Sequence, residues 1–321
     1  MKCVMECAMN DPLGELLERH ELMILDGGLG SELRRRGCAV DGALWSAQVL
    51  LDAPTLIRDL HREYFEAGAD CAITATYQAS VPGFVAHGLG EPQAIAVMQR
   101  AVQLAREARD SFWDSGPHPG RSRPLVVGSL GPYGAYLHDT SEYRGDYQVS
   151  DEVLRAFHRP RIAALLDAGV DLLACETFPL LREALVVADL LAAEFRDATM
   201  WVAFSARDAG HTCHGEPIGA CAVALAPYAQ VRAIGVNCTA APYIPGLVAA
   251  LRTAGVRPIV AYPNAGEQYD STVGWRGQLS DAALCDAAPE WVAAGARIIG
   301  GCCRTTPAFI RDTVARLRPL R

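Results

Sequence analysis

Three cysteines carry the strongest chemical signal in this chain. Cys238 ends the apolar run RAIGVNC at 232–238, and Cys302 and Cys303 end the run ARIIGGCC at 296–303. Both runs are short, rich in Ile and Val, bounded by glycine and followed by a stretch of helical period, which is how a buried parallel strand reads. If two such strands lie side by side, their ends bring three sulfurs together. Three protein ligands leave one zinc position open, which separates a catalytic ion from a structural one. The vicinal pair is unlike the C-x-x-C spacing of structural zinc fingers, because neighbours share an ion only where the chain bends sharply, and Gly300 and Gly301 allow that bend. A single strand-end cysteine would read as a small packed hydrophobe. The doublet after Gly-Gly, matched by Cys238 at a second strand end, favours metal.

An ion held by three thiolates is electron-rich, hence a mild Lewis acid and a poor source of hydroxide. A thiol arriving at its open position is deprotonated on binding and stays nucleophilic. The arrangement therefore suits alkylation of a thiol. A metallohydrolase would instead use His and carboxylate ligands.

The elements that must position these sulfurs follow from the hydrophobic pattern. Eight apolar segments, at 23–28, 71–77, 125–130, 172–178, 201–206, 233–238, 259–264 and 297–303, alternate with helical patterns such as 54–68, 91–110, 151–169 and 180–195. Eight βα units predict one domain over residues 1–321, a (β/α)8 TIM barrel of the α/β class with long loops at the carboxyl ends of its strands. A doubly wound sheet would want a G-x-G-x-x-G turn after the first strand, and Asp26-Gly27-Gly28-Leu29-Gly30 does not match it. Asp26, Tyr77, Glu176, Cys238, Asn264, Cys302 and Cys303 all fall at the carboxyl ends, where barrels do their chemistry. Loops at 131–148, 207–217 and 264–278 are long, the first with four tyrosines and the last with Tyr269 and Trp275, and they read as lids. Arg304-Thr305-Thr306-Pro307 has the form of a helix N-cap followed by proline, and places a helix start beside the cysteine pair.

The chain has 321 residues, half of them apolar, and a net charge of −8 without a basic block. That balance argues against nucleic-acid and anionic-membrane partners and for a small substrate. No apolar stretch of about 20 residues is present to span a bilayer. The N-terminus MKCVMECAMNDPLGE reaches charge before an apolar core develops, so a cytoplasmic, reduced protein is expected in spite of 11 cysteines. Cys71, Cys175, Cys221 and Cys285 read as packed thiols, while His211-Thr212-Cys213-His214, with ligand types at close spacing, reads as a solvated loop.

With these motifs in place, the chain resembles the zinc-dependent homocysteine S-methyltransferases, most closely the branch that uses S-methylmethionine. The landmarks are DGG at 26–28, LWSA at 44–47, ATYQAS at 75–80, GPYGAYL at 131–137, SEYRGDY at 141–147, ACET at 174–177, GVNC at 235–238, YPN at 262–264 and GGCCRTTP at 300–307. The resemblance implies that Cys238, Cys302 and Cys303 hold Zn2+ with the homocysteine sulfur as fourth ligand, and that Asp26 and Glu176 hold the homocysteine ammonium. It also implies that the backbone at Gly27 and Gly28 receives the carboxylate, and that Trp45 and Tyr77, with tyrosines of the 131–148 loop, surround the sulfonium donor by cation–π attraction. Asn264 of YPN is counted with the substrate contacts. Betaine-using relatives carry a tyrosine where this chain has Thr177, and a C-terminal extension that joins subunits. Neither is expected here, and the chain is expected to be a monomer. Two other readings remain open at this point: a thiol methyltransferase acting on selenocysteine or selenohomocysteine, with S-adenosylmethionine as a possible donor, and a zinc- or thiol-binding barrel without turnover.

Overall fold

The computed structural model describes residues 10–318 other than 39, 41–45, 256, 266–267, 271–273 and 277–278. Eight parallel strands form one sheet: β1 (Met23–Ile24), β2 (Cys71–Ile73), β3 (Leu125–Leu130), β4 (Leu172–Phe178), β5 (Met200–Phe204), β6 (Val231–Asn237), β7 (Ile259–Tyr262) and β8 (Ile298–Ile299). Their order is β1-β8-β7-β6-β5-β4-β3-β2, each paired in parallel with the next, and helices alternate with strands along the chain. This is the (β/α)8 barrel that the pattern predicts. A short antiparallel hairpin, Gln268–Asp270 with Gly274–Arg276, lies between β7 and the following helix.

The remaining seam, between β1 and β2, is closed by side chains as much as by backbone. Asp70 N–H donates to Ile24 O at 2.7 Å, and Ile24 N–H donates to Asp70 Oδ2 at 2.7 Å. One step up the barrel, Ile73 N–H donates to Asp26 Oδ2 at 2.8 Å. A ladder amide buried without an acceptor would be costly, and the two aspartates supply the acceptors.

Alternation along the strands sorts the core into two layers. Met23, Leu25, Val127, Leu172, Ala174, Trp201, Ala203, Ala233, Val260, Tyr262 and Ile298 fill the barrel with Leu13, Leu16 and Leu17 of the N-terminal helix Pro12–Arg19. Their sequence neighbours, such as Leu173, Cys175, Val202 and Phe204, pack outward against the helices. The expected helices are present as Pro54–Ala67, Glu91–Trp113, Asp151–Asp167 and Leu181–Glu194, the first ending on Gly68 in the left-handed region at φ 111°. The predicted strands at 23–28, 71–77 and 297–303 are observed as only two or three ladder residues each. The first and last leave the ladder where Gly28 N–H turns to Thr305 O and Gly301 N–H to Asp26 O, and the second where Thr76 N–H turns back to Thr74 O.

Close approach decides one glycine here. A Cβ on Gly235 of β6 would fall inside the Val260 carbonyl of β7, three residues before Cys238. Gly235→Ala should therefore lower stability by about 3 kcal/mol, read as a fall in the urea midpoint at unchanged slope.

Candidate active site

Strand β6 delivers the first thiol by breaking its own alternation. Ala233 and Asn237 share the inward phase, which would turn Cys238 outward. Cys238 instead adopts φ 47°, a left-handed conformation that costs a residue with a Cβ about 1 kcal/mol or more. Its sulfur lies 3.5 Å from Cys303 Sγ, and the three sulfurs of Cys238, Cys302 and Cys303 all fall within 4.8 Å of one another. Thr177, after Glu176, and Arg304, after Cys303, are left-handed too, at φ 61° and 64°. Backbone strain is concentrated where three strand ends meet.

The doublet is set by a tight turn. Cys302 N–H donates to Pro263 O at 2.8 Å, Ala265 N–H to Cys303 O at 3.1 Å and Gly301 N–H to Asp26 O at 3.1 Å. Thr305 locks the turn from below: its hydroxyl donates to Cys302 O at 2.7 Å and accepts from Gly28 N at 3.1 Å. A Cβ on Gly301 would collide with that threonine, and one on Gly28 would lie 2.5 Å from Cys302 O. Helix Pro307–Leu317 then starts as the sequence predicts, with Thr306 as N-cap accepting from Phe309 N–H and proline in its first turn.

Asn237 ties the cluster to β4. Its Oδ1 accepts from Thr177 N–H at 2.6 Å, and its Nδ2 donates to Thr177 Oγ1 at 2.8 Å and reaches Cys302 Sγ at 3.8 Å. Tyr143 OH stands 3.2 Å from Cys238 Sγ. Hydrogen bonds from Cys302 and then Cys303 push the Cys238 thiol well below its usual range, while those same bonds to Cys238 push the other two thiols up. A divalent cation changes that balance, since it binds all three as thiolates and releases the protons. Ligand type, number and spacing fit zinc.

Two carboxylates meet the same cavity, which has a volume of about 920 Å3. Asp26 is 2% exposed and its carboxyl is pushed well up, by burial first and by the Glu176 charge as well. Glu176, inward on β4 in phase with Ala174, is 8% exposed and raised to about 7 by burial. It accepts from Ser129 Oγ, and from Tyr262 OH at 3.3 Å, whose oxygen accepts in turn from Trp201 Nε1 at 3.2 Å. Hydrogen bonds orient Glu176 but bring it no positive charge. Gly27, Gly28, Tyr77 and the cysteines line the cavity with them. Asn264 is buried just past β7, its N–H on Thr239 O at 3.2 Å, and is not on the cavity wall. Trp45 lies outside the described residues, as do the side chains of Tyr269 and Trp275.

Of the four tyrosines in the 131–148 loop, only Tyr143 reaches the sulfurs. Tyr133, Tyr136 and Tyr147 pack around Phe157 and one another, with ring centroids 5.1 to 5.8 Å apart. Glu183 anchors this assembly by accepting from Tyr133 N–H at 2.7 Å, from Tyr147 OH and from His158 Nε2 at 2.7 Å. Beside it, fully buried Arg161 donates to the carbonyls of Tyr77, Ala79 and Gly131 at 2.7 to 2.9 Å, gripping the loops after β2 and β3 at once. The His211–His214 loop has the solvated character expected. His211 pairs with Asp208 and His214 with Glu216, and the thiol cluster is the one metal-capable group among the described residues.

Comparison with known proteins agrees with this geometry. The homocysteine S-methyltransferase pattern matches residues 23–317. The chain belongs to the homocysteine S-methyltransferase family. It is 49% identical over 311 residues to the homocysteine S-methyltransferase of Escherichia coli, covering 96% of this chain and 99% of that one. It is 45% identical over 313 residues to the homocysteine S-methyltransferase YbgG of Bacillus subtilis, covering 97% and 99%. The crystal structure of the Escherichia coli homocysteine methyltransferase MmuM in its metallated form superposes with a TM-score of 0.86 at 47% identity, over 95% of this chain and all of that one.

Sequence reasoning about this homocysteine S-methyltransferase family member passed over Asn237, Ser129, Tyr262, Thr305 and Glu142. Asn237 and Ser129 were visible as polar residues inside apolar strands, and such groups are buried only with partners. Replacing Cys238, Cys302 or Cys303 singly by serine should cut bound zinc from about one per chain toward zero, measured by metal analysis after dialysis, with the far-ultraviolet dichroism unchanged.

Proposed function

We propose that this chain transfers a methyl group from S-methylmethionine to homocysteine, giving methionine, with S-adenosylmethionine as a second donor. The observation that carries the reading is the convergence of a three-thiol cluster and two mutually repelling buried carboxylates on one cavity. The thiols call for a sulfur acceptor, and the carboxylates call for an ammonium.

When bound by the three thiolates, zinc supplies a position where a thiol is deprotonated and kept nucleophilic at neutral pH. The chain's own residues do the rest. Asp26 Oδ2 is held by Ile73 N–H, and Glu176 is held by Ser129 and Tyr262, so both carboxylates are fixed before the substrate arrives. An α-ammonium between them relieves the burial that raises both. The glycine backbone at 27 and 28 leaves room for the carboxylate of the amino acid. Tyr77, hydrogen-bonded to Thr177, and Tyr143 offer aromatic surface to a sulfonium without a nucleophile that would intercept the methyl group.

The acceptor sulfur attacks the methyl carbon in line. The donor S–CH3 bond breaks with both electrons left on the donor sulfur, which departs as a neutral thioether. Opposite charges cancel in the transition state, so exclusion of water by the 131–148 loop favours the step. No covalent bond to the enzyme forms. A reducing compartment such as the cytoplasm suits the site, because Cys238 and Cys303 joined as a disulfide would be lost as ligands.

With methyl-labelled S-methylmethionine and homocysteine, the reduced zinc-loaded protein should form labelled methionine faster than with S-adenosylmethionine and far faster than with betaine, and a chelator should abolish it. No product from any donor would sink the reading. Glu176→Gln should raise the homocysteine KM about tenfold to a hundredfold, the worth of a charged hydrogen bond, with zinc content unchanged. An unaltered KM would mean the ammonium is held elsewhere.

A further inference from the structure

Besides Asp26 and Glu176 the cavity wall carries Glu32, Asp281 and Glu142; Arg35 and Arg36 pair with Glu32, Thr306 donates to Asp281, and the reaction as derived so far gives Glu142 no task. Glu142 belongs to the short 3-10 turn Ser141–Tyr143 and lines the cavity with Tyr143, His138 and Tyr77. Its Oε2 is closed to solvent and meets no hydrogen-bond donor. No ion pair reaches it among the described residues. The adjacent cation is committed elsewhere: Arg144 Nε lies 3.1 Å from Asp146 Oδ2, Nη1 donates to Asp139 O and Thr140 Oγ1 at 2.7 and 2.6 Å, and Nη2 donates to Ser141 Oγ at 3.1 Å. Burial raises the Glu142 carboxyl to about 7; its own backbone N–H and the charge of Arg144 oppose the rise, and the negative charges of Cys238 and Asp139 add to it.

A partly enclosed carboxylate with one oxygen unbonded, whose nearest cation is hydrogen-bonded elsewhere, costs folding free energy, and it persists where something outside the fold makes use of it. The turn is built to hold it in place. Ser205 Oγ donates to Glu142 O at 2.9 Å, Gly145 N–H donates to Ser141 O at 2.7 Å, and Thr140 enters the turn left-handed at φ 68°. The same turn sets Tyr143 against Cys238, so carboxylate and ring are delivered together. The charge of Glu142 is felt by Tyr77 and Tyr143, the aromatic part of the wall, and Tyr77 feels Glu176 as well. The acceptor's ammonium already has Asp26 and Glu176, which leaves Glu142 for a second cationic molecule.

We propose that Glu142 is the counter-ion of the methyl donor, its carboxylate holding positive charge of an amino-acid sulfonium beside the Tyr77 and Tyr143 rings. The proposal rests on the function proposed above. A donor of this class carries two cationic centres, the sulfonium and its α-ammonium, and either would satisfy the carboxylate. A neutral thioether product keeps only the ammonium.

The test compares wild type with Glu142→Gln and Glu142→Asp in the zinc-loaded protein. Glu142→Gln should raise the S-methylmethionine KM about tenfold or more, as expected for a lost charged contact, while homocysteine KM and zinc content stay within twofold of wild type. Glu142→Asp should restore part of the loss. Melting temperature should hold or rise in Glu142→Gln, because an unpaired charge is removed; a merely structural role predicts a fall. Methionine, measured as an inhibitor competitive with the donor, separates the two centres: equal weakening assigns the ammonium, and unchanged inhibition assigns the sulfonium. A donor KM unchanged in Glu142→Gln, in a wild type that turns over S-methylmethionine, overturns the assignment of Glu142 alone. Wild-type protein that neither binds S-methylmethionine by calorimetry nor uses it overturns the functional reading beneath it.

Discussion

Three sulfur atoms gathered within 4.8 Å are stable as thiolates only around a cation, and much of the upper barrel is shaped by that requirement. Cys238 accepts a left-handed backbone to join the other two, Gly300 and Gly301 give up side chains so that the doublet can turn, and Thr305 and Asn237 hold the turn from either side. Each of these arrangements costs something locally. They are mutually consistent because each serves the same meeting point, and strain of this kind gathers where function needs it.

Charge follows the same logic. The cavity gathers acidic groups: hydrogen bonds from Cys302 and Cys303 hold the Cys238 thiol well below its usual range, while burial pushes Asp26 up and raises Glu176 and Glu142 to about 7. Such a cavity is primed for cations, and the reaction assigned to it brings in a zinc ion, an ammonium and a sulfonium. Among these the sulfonium is the one consumed, and its charge is annihilated against the thiolate. Both products keep their α-ammonium, so the charge that the wall loses on turnover is that of the sulfonium alone.

The barrel and the zinc site were legible because both are written in patterns that local sequence carries. Eight apolar runs with helical spacers specify the strands, and Cys238 with Cys302 and Cys303 stand at the ends of two of them. Strand lengths were overread at 23–28, 71–77 and 297–303, since apolar composition continues past the point where Gly28, Thr76 and Gly301 divert their hydrogen bonds. The tyrosine loop was legible as a long aromatic segment beside the site but not in its division of labour. Three of its rings serve packing around Phe157, and only the fold shows that Tyr143 is the one turned to Cys238. The reach of Arg161 to carbonyls some 80 and 30 residues away has no local signature at all.

The seam between β1 and β2 gives Asp26 two duties at once. One oxygen completes the sheet by taking the Ile73 amide, and the carboxylate also faces the cavity beside Glu176. The last rung of the barrel's closure is therefore a titratable group on the cavity wall. A cation settling there strengthens the acceptor's charge, and with it the bond that shuts the cylinder. Substitution at Asp26 thus touches the closure of the sheet and the cavity together, because one side chain serves both.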